Sequence, residues 1–230
     1  MHNKGLYKSY FKRPFDFIIS LLALILLMPV LIIIAVLVRI KLGSPIVFKQ
    51  KRPGLNEKIF TIYKFRTMTD KKNNNGELLS DSKRLIKFGK FLRSTSIDEL
   101  PSLINIIKGD MSIVGPRPQL VRDMVFMSVE QRQRHSVKPG LTGWAQVNGR
   151  NNLTWEQKFN LDLKYIENIT FVNDLKIIFY TVVKVIKKND INTEGMVTAE
   201  DLGEYLLRIG KVDQITYEKK KKRSKDLLAK

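Results

Sequence analysis

The chain has no cysteine among its 230 residues, which excludes disulfides and thiolate metal centres. Histidine is nearly absent too. Only His2 and His135 occur, which speaks against a histidine-rich metal site or a histidine-based triad, and His135 reads as structural or solvated. No GxxxxGK[ST] loop, HExxH or GxGxxG is present, so the mechanics of P-loop nucleotidases, zincins and dinucleotide enzymes are not supported. The chain also lacks any Asp-x-Asp pair of the kind many metal-dependent glycosyltransferases use. Acidic residues are scarce: 22 Asp and Glu stand against 41 Lys and Arg, a formal charge of +19. Such a balance calls for an anionic partner, which is nucleic acid, anionic lipid or a phosphorylated substrate. No recognition helix or basic face with stacking aromatics supports nucleic acid.

What is present begins with an apolar run. From Phe17 to Val38 no charged residue occurs, and at helical rise that stretch spans about 33 Å, enough to match a hydrocarbon core. No small-residue cleavage site follows it, which disfavours a removed signal peptide. Basic residues flank both ends, with Lys4, Lys8, Lys12 and Arg13 before it and Arg39, Lys41, Lys49, Lys51 and Arg52 after it. Positive flanks favour the cytoplasmic side. Two readings follow: an ordinary crossing helix that tolerates Pro29, or a helix broken at Met28-Pro29 that enters one leaflet and returns. The paired basic flanks lean toward return.

Beyond the run, Ile46–Phe48 and Ile59–Tyr63 are β-prone, and Arg52–Asn56 between them reads as a turn, so a hairpin is expected. Residues 70–83 read as an exposed loop. Residues 84–93 (RLIKFGKFLR) suit an amphipathic helix, on an anionic membrane surface or on a core. Leu100, Leu103, Ile104 and Ile107 mark one helix face. Gly/Pro-rich loops are expected at 109–118 and 138–152, with a polar helix between them at roughly 119–135. Helices follow at about 154–167 and 172–188, the second with an apolar face of Leu175, Ile178, Val182 and Val185. The lysine-rich end reads as a disordered basic tail that attracts anionic lipid. The organisation expected is an anchor over 1–41, a catalytic domain over 42–205 and a basic tail over 206–230.

The candidate chemistry centres on Ser96-Ile97-Asp98-Glu99. One reading is a capping box, with Ser96 capping a helix and Glu99 reaching back. The other is catalytic: adjacent helical residues point about 100° apart, so one carboxylate attacks phosphorus while the other holds a divalent cation. Mg²⁺ takes one or two carboxylates plus substrate phosphates. Cations for a pyrophosphate are available in Lys64, Arg66, Arg93 and Arg117, the last fixed in a rigid Gly-Pro-Arg-Pro turn.

Taken together, KRPFDFIIS (12–20), FKQKRPGLNEKIFTIYKFRTM (48–68), SIDELPSLINIIKGDMSIVGPRP (96–118), KPGLTGWAQVNGRN (138–151) and the D-x-K-I segment (174–177) resemble the bacterial sugar transferase family, the small monotopic polyprenyl-phosphate phosphoglycosyl transferases. The likeness is greatest to the initiating transferases of bacterial N-linked protein glycosylation and includes EGMVT at 194–198. The resemblance implies a mainly α fold with a small β-hairpin, a re-entrant (monotopic) membrane helix hairpin, amphipathic interfacial helices and a compact cytoplasmic catalytic domain. It implies that Asp98 is the nucleophile toward a UDP-sugar, forming a phosphosugar-aspartyl intermediate that a polyprenyl phosphate then resolves. It assigns Mg²⁺ to Glu99, phosphate contact to Lys64, Arg93 and Arg117, and the anchor kink to Met28 and Pro29, where the family has a Ser-Pro pair. The partners implied are a UDP-sugar, polyprenyl phosphate and anionic membrane lipid at the cytoplasmic face of the bacterial inner membrane, with no nucleic acid. The alternatives are a membrane-tethered nucleic-acid-binding protein and a non-catalytic scaffold.

Overall fold

The computed structural model describes residues 5–149, 153–187 and 200–229. The EGMVT segment, Lys188 and the end of the 138–151 motif lie outside the described residues. Helix α1 runs from Lys12 to Leu42, and a π-helical turn, Tyr7–Phe11, precedes it. It is the one helix among the described residues long and apolar enough to cross a membrane. The Met28-Pro29 pair lies inside α1, which keeps helical hydrogen bonding on both sides of it. Pro29 withholds only its own N–H, the donor that would reach the Ile25 carbonyl, and the remaining ladder carries the helix on.

The two ends of α1 both pack on the rest of the chain. Near its start, Arg13 donates to the carbonyls of Ile106 and Ile107 at 2.5 and 2.7 Å. Asp16 accepts from Ser112 Oγ at 2.6 Å and Ile113 N at 3.1 Å. Near its end, Ile34, Val38 and Leu42 are buried with Phe65 and Leu92. Between them Ile25, Leu26, Met28, Val30, Ile32 and Ile33 are exposed.

The hairpin forms as the sequence predicts. Strand β1 (Val47–Pro53) pairs antiparallel with β2 (Ile59–Phe65), in a register joining Val47 to Phe65 and Pro53 to Ile59. Then come α2 (Asp81–Arg84) and α3 (Lys87–Ser94). The amphipathic helix thus starts later than its pattern suggested, because Leu85 and Ile86 leave helical geometry between the two. Gly89 lets α3 press on the preceding strand's exit, since a Cβ there would lie 1.9 Å from the Thr67 carbonyl oxygen.

A 3₁₀ turn, Ile97–Ser102, leads into α4 (Leu103–Lys108). The expected apolar face is therefore rotated: Leu103 and Ile106 are buried while Ile104 is exposed. Three residues per turn before α4 shift the register that a uniform 3.6-residue period assumes. Strand β3 (Ser112–Val114) follows. The polar helix expected at 119–135 is instead α5 (Val121–Met124), α6 (Val129–Arg132) and a 3₁₀ turn, Gln133–Ser136. Ser128 caps α6 through a capping box and so restarts the chain there.

The second glycine-rich loop holds β4 (Gly140–Thr142), parallel to β3, and α7 (Trp144–Val147). Helices α8 (Trp155–Glu167) and α9 (Phe171–Lys187) match expectation in place. The apolar face expected on α9 is largely open, however: Leu175 and Val182 are exposed, along with Phe171, Val172, Phe179 and Ile186, while Asp174 and Ile177 turn inward. The end of the chain is ordered, not a free tail. Helices α10 (Leu202–Arg208) and α11 (Gln214–Ala229) pack through Leu202, Tyr205 and Tyr217 on Phe126 and Phe159. The Lys219–Arg223 block is thereby part of a helix rather than a disordered tail.

Candidate functional site

Strand β2 sets the site. Ser102 Oγ donates to the Tyr63 carbonyl at 2.7 Å, Tyr63 N donates to Asn105 Oδ1 at 3.1 Å, and Asn105 Nδ2 donates to the Thr61 carbonyl at 2.7 Å. Ser102 and Asn105 are fully buried. The open edge of β2 is thus satisfied by side chains from the turn and helix that follow Asp98 and Glu99, which brings both carboxylates beside Lys64.

The capping box does not form. Ser96 is left-handed (φ 56°) and makes no side-chain cap hydrogen bond. Glu99 turns outward from the turn instead. It accepts from Lys64 Nζ at 2.7 Å and from Arg117 Nη2 and Nη1 at 2.6 and 3.3 Å. Burial alone would raise its pKa, but Arg117 and Lys64 more than offset that and hold it well below the carboxylate range. Asp98 is 8% exposed. Burial first, and then the charge of Glu99, push it up to about 6 against the pull of Lys64, Arg117 and Arg93. Neighbouring carboxylates are thereby given different roles by their surroundings: one fixed as an anion, the other close to its titration point.

All six residues singled out from the sequence line one cavity of about 750 Å³: Lys64, Arg66, Arg93, Asp98, Glu99 and Arg117. Arg93, from α3, donates to Thr67 Oγ1 at 3.0 Å, and burial lowers its pKa. Arg66 is more committed than its companions. It donates to the carbonyls of Ser44 and Met68 and pairs with Asp70, so it braces the 66–70 turn. Met28 and Pro29 lie far along α1, outside the cavity lining. Near its other limits the cavity reaches Pro45 and Phe48, just past the end of α1, and Trp155, Lys158 and Asp201.

Sequence reasoning missed Arg52 and Arg134. Arg52 lines the cavity and donates to the Pro118 carbonyl at 3.1 Å. Arg134 is 2% exposed and forms an ion pair with Asp162 at 2.6 Å. Neither an arginine in a turn nor one in a polar stretch carries a sequence signal of burial. His135 is buried as a structural residue beside Glu57, at 3.5 Å.

No group of three or more His, Cys, Asp and Glu positioned for a metal occurs among the described residues. Asp98 and Glu99 are the adjacent carboxylates at the cavity whose chemistry suits a divalent cation.

A helix with an exposed apolar middle stands beside a cavity where cations surround a carboxylate pair, an arrangement suited to an anionic ligand near a membrane. The chain belongs to the bacterial sugar transferase family, whose sequence profile matches residues 7–188. It is 50% identical over 189 residues to the uncharacterized sugar transferase EpsL of Bacillus subtilis, covering 82% of this chain and 94% of that one. It is 44% identical over 184 residues to a UDP-glucose:undecaprenyl-phosphate glucose-1-phosphate transferase of Klebsiella pneumoniae, covering 76% of this chain but 40% of that protein. An undecaprenyl-phosphate galactose phosphotransferase of Salmonella typhimurium is 34% identical over 201 residues, with 79% and 41% covered.

Proposed function

We propose that this protein transfers a phosphosugar from a UDP-sugar to a polyprenyl phosphate, giving a polyprenyl-diphosphate sugar and UMP. The observation that carries the reading is the single cavity that joins Asp98 and Glu99 to Lys64, Arg93 and Arg117 and extends to Pro45 and exposed Phe48 at the end of α1. A lipid phosphate cannot leave the bilayer without exposing its chain to water, so a reacting carboxylate near the anchor suits a lipid acceptor. Relatives named for transfer to undecaprenyl phosphate support the same reading.

In the first half-reaction a carboxylate oxygen of Asp98 attacks the phosphorus that bears the sugar. The bond from that phosphorus to the UMP oxygen breaks, and UMP leaves. In the second, an oxygen of the polyprenyl phosphate attacks the same phosphorus and the aspartyl P–O bond breaks, restoring Asp98. Arg117 and Lys64, already paired with Glu99, and Arg93 face the phosphate oxygens as charge shifts between them. Glu99 would hold Mg²⁺, with Asp98 adjacent. When bound, the ion supplies positive charge to the diphosphate and its leaving oxygen.

The anchor fits a helix that enters one leaflet from the cytoplasmic face and returns. Both ends of α1 are bonded to or buried in the same domain, whereas a straight helix of this length would separate its ends by about 46 Å. The open apolar face of α9 and the exposed Phe91 of α3 suit the headgroup zone around it. The decisive experiment incubates the protein with UDP-glucose, UDP-galactose or UDP-N-acetylglucosamine without lipid acceptor and weighs the intact chain. A mass gain of one phosphosugar, absent in Asp98→Asn, is expected. UMP release undiminished in Asp98→Asn would overturn the assignment.

A further inference from the structure

The segment that presents Arg117 contains Pro116 and Pro118, which lack an N–H. Of these three residues only Arg117 keeps an N–H, and the segment is held through its carbonyls. Gly140 N donates to the Pro116 oxygen at 2.9 Å. Arg134 Nη2 donates to the Arg117 oxygen at 2.7 Å, and Arg52 Nη1 to the Pro118 oxygen at 3.1 Å. Three successive carbonyls are thus each held from a different part of the chain. Beneath them the backbone is in close contact: a Cβ on Gly140 would lie 2.1 Å from Gly115 N, and one on Gly115 would lie 2.5 Å from the Lys138 oxygen.

The two guanidinium groups differ in one respect. Arg134 gives Nε and Nη2 to Asp162 Oδ2 at 3.0 and 2.6 Å and lies over the Phe159 ring, so its charge is balanced inside the protein. Arg52 makes no ion pair among the described residues. Its other hydrogen bond is to Gln50 Oε1 at 2.6 Å, and its Nε is buried without a partner. Burial and the like charge of Arg117 lower its pKa to about 10, which leaves it a cation at neutral pH. It lines the cavity.

We propose that Arg52 and Arg134 are positioning residues that clamp the backbone on both sides of the Arg117 side chain, and that only Arg52 also lends its positive charge to the substrate diphosphate. This rests on the phosphosugar-transfer reading above. A loop held at its carbonyls presents the Arg117 fork without reorganisation when phosphate charge moves, which is where preorganised donors act most strongly. An internal ion pair next to the loop fixes geometry without adding net field, whereas an unpaired, half-buried cation adds both.

The test uses the full chain in nanodiscs containing polyprenyl phosphate, with UDP as the binding probe. Arg52→Gln should weaken UDP binding by about tenfold and flatten its dependence on salt. The paired variant Arg134→Gln/Asp162→Asn, which removes both charges together, should leave UDP affinity within about twofold while kcat falls about a hundredfold. Amide exchange at Gly140, whose N–H is bonded to the Pro116 carbonyl, should accelerate in both. If the paired variant is too unstable to purify, Arg134→Lys replaces it with the same expectations. Equal losses of UDP affinity in the two variants would refute the division of charge. Unchanged amide exchange at Gly140 would refute the clamp. A wild-type chain that releases no UMP from any of the three UDP-sugars would instead sink the reaction itself, while UDP affinity and amide exchange would still decide the roles of Arg52 and Arg134.

Discussion

Glu99 and Arg117 meet in a two-pronged ion pair, at 2.6 and 3.3 Å, across 18 residues of chain. The pair ties the turn bearing the carboxylates to the Gly-Pro-Arg-Pro segment, and Lys64 closes it from β2 at 2.7 Å. Two bonds in one plane demand a guanidinium. Arg117→Lys should therefore lower kcat/KM by about ten- to a hundredfold although the charge is kept. Steady-state UMP release measures this, and full activity in the lysine variant would remove the fork from the mechanism.

Asp98 sets a pH dependence. Its carboxyl is pushed up to about 6, and in the proposed mechanism the attacking form is the anion, so kcat/KM should fall as pH drops through that value. Lys64→Met removes a charge that lowers Asp98, so the acid limb should move to higher pH. Glu99→Gln removes a charge that raises it, so the limb should move lower, though burial, the larger cause, remains. A limb that stays fixed in both variants would separate the titration from Asp98.

The anchor prediction concerns sidedness. Cysteines placed at exposed Leu6 and Lys49, on either side of α1, should both react with a membrane-impermeant maleimide only after inverted vesicles expose the cytoplasmic face. Labelling of one from the outside of intact cells would establish a crossing helix. The native chain has no cysteine, so the background is zero.

Stability should follow His135. Burial, and then Arg134, lower its pKa from 6.5 to about 4. Below pH 6.5 the unfolded chain takes up a proton that the folded chain refuses, so stability is lost as pH falls toward 4, on the order of 3 kcal/mol for this group alone. His135→Leu should flatten the fall in Tm over that window. An unchanged slope would place the acid sensitivity elsewhere.

What was legible is local. The hairpin announces itself by β-prone runs around Pro53-Gly54, and the Asp98-Glu99 pair and the Gly-Pro-Arg-Pro segment stand out as candidates whose chemistry comes from the family resemblance. What was not legible depends on register and burial. The 3₁₀ turn before α4 rotates the apolar face from Ile104 to Ile106, and no periodicity count sees a change of period inside six residues. Ser96 satisfies a capping pattern yet sits left-handed, because Glu99 finds two cations that only the fold brings near. The lysine block becomes helical because Tyr217 and Leu227 supply apolar contacts on either side of it, a tertiary effect that composition hides.

Helix α1 is joined to strand β3, which leads to Arg117, through Asp16 and Ser112, and to the sheet carrying Lys64 through Val38, Leu42 and Phe65. It is therefore a strut as well as an anchor. Bending of its exposed middle would load both supports of the turn that carries Asp98 and Glu99 at once.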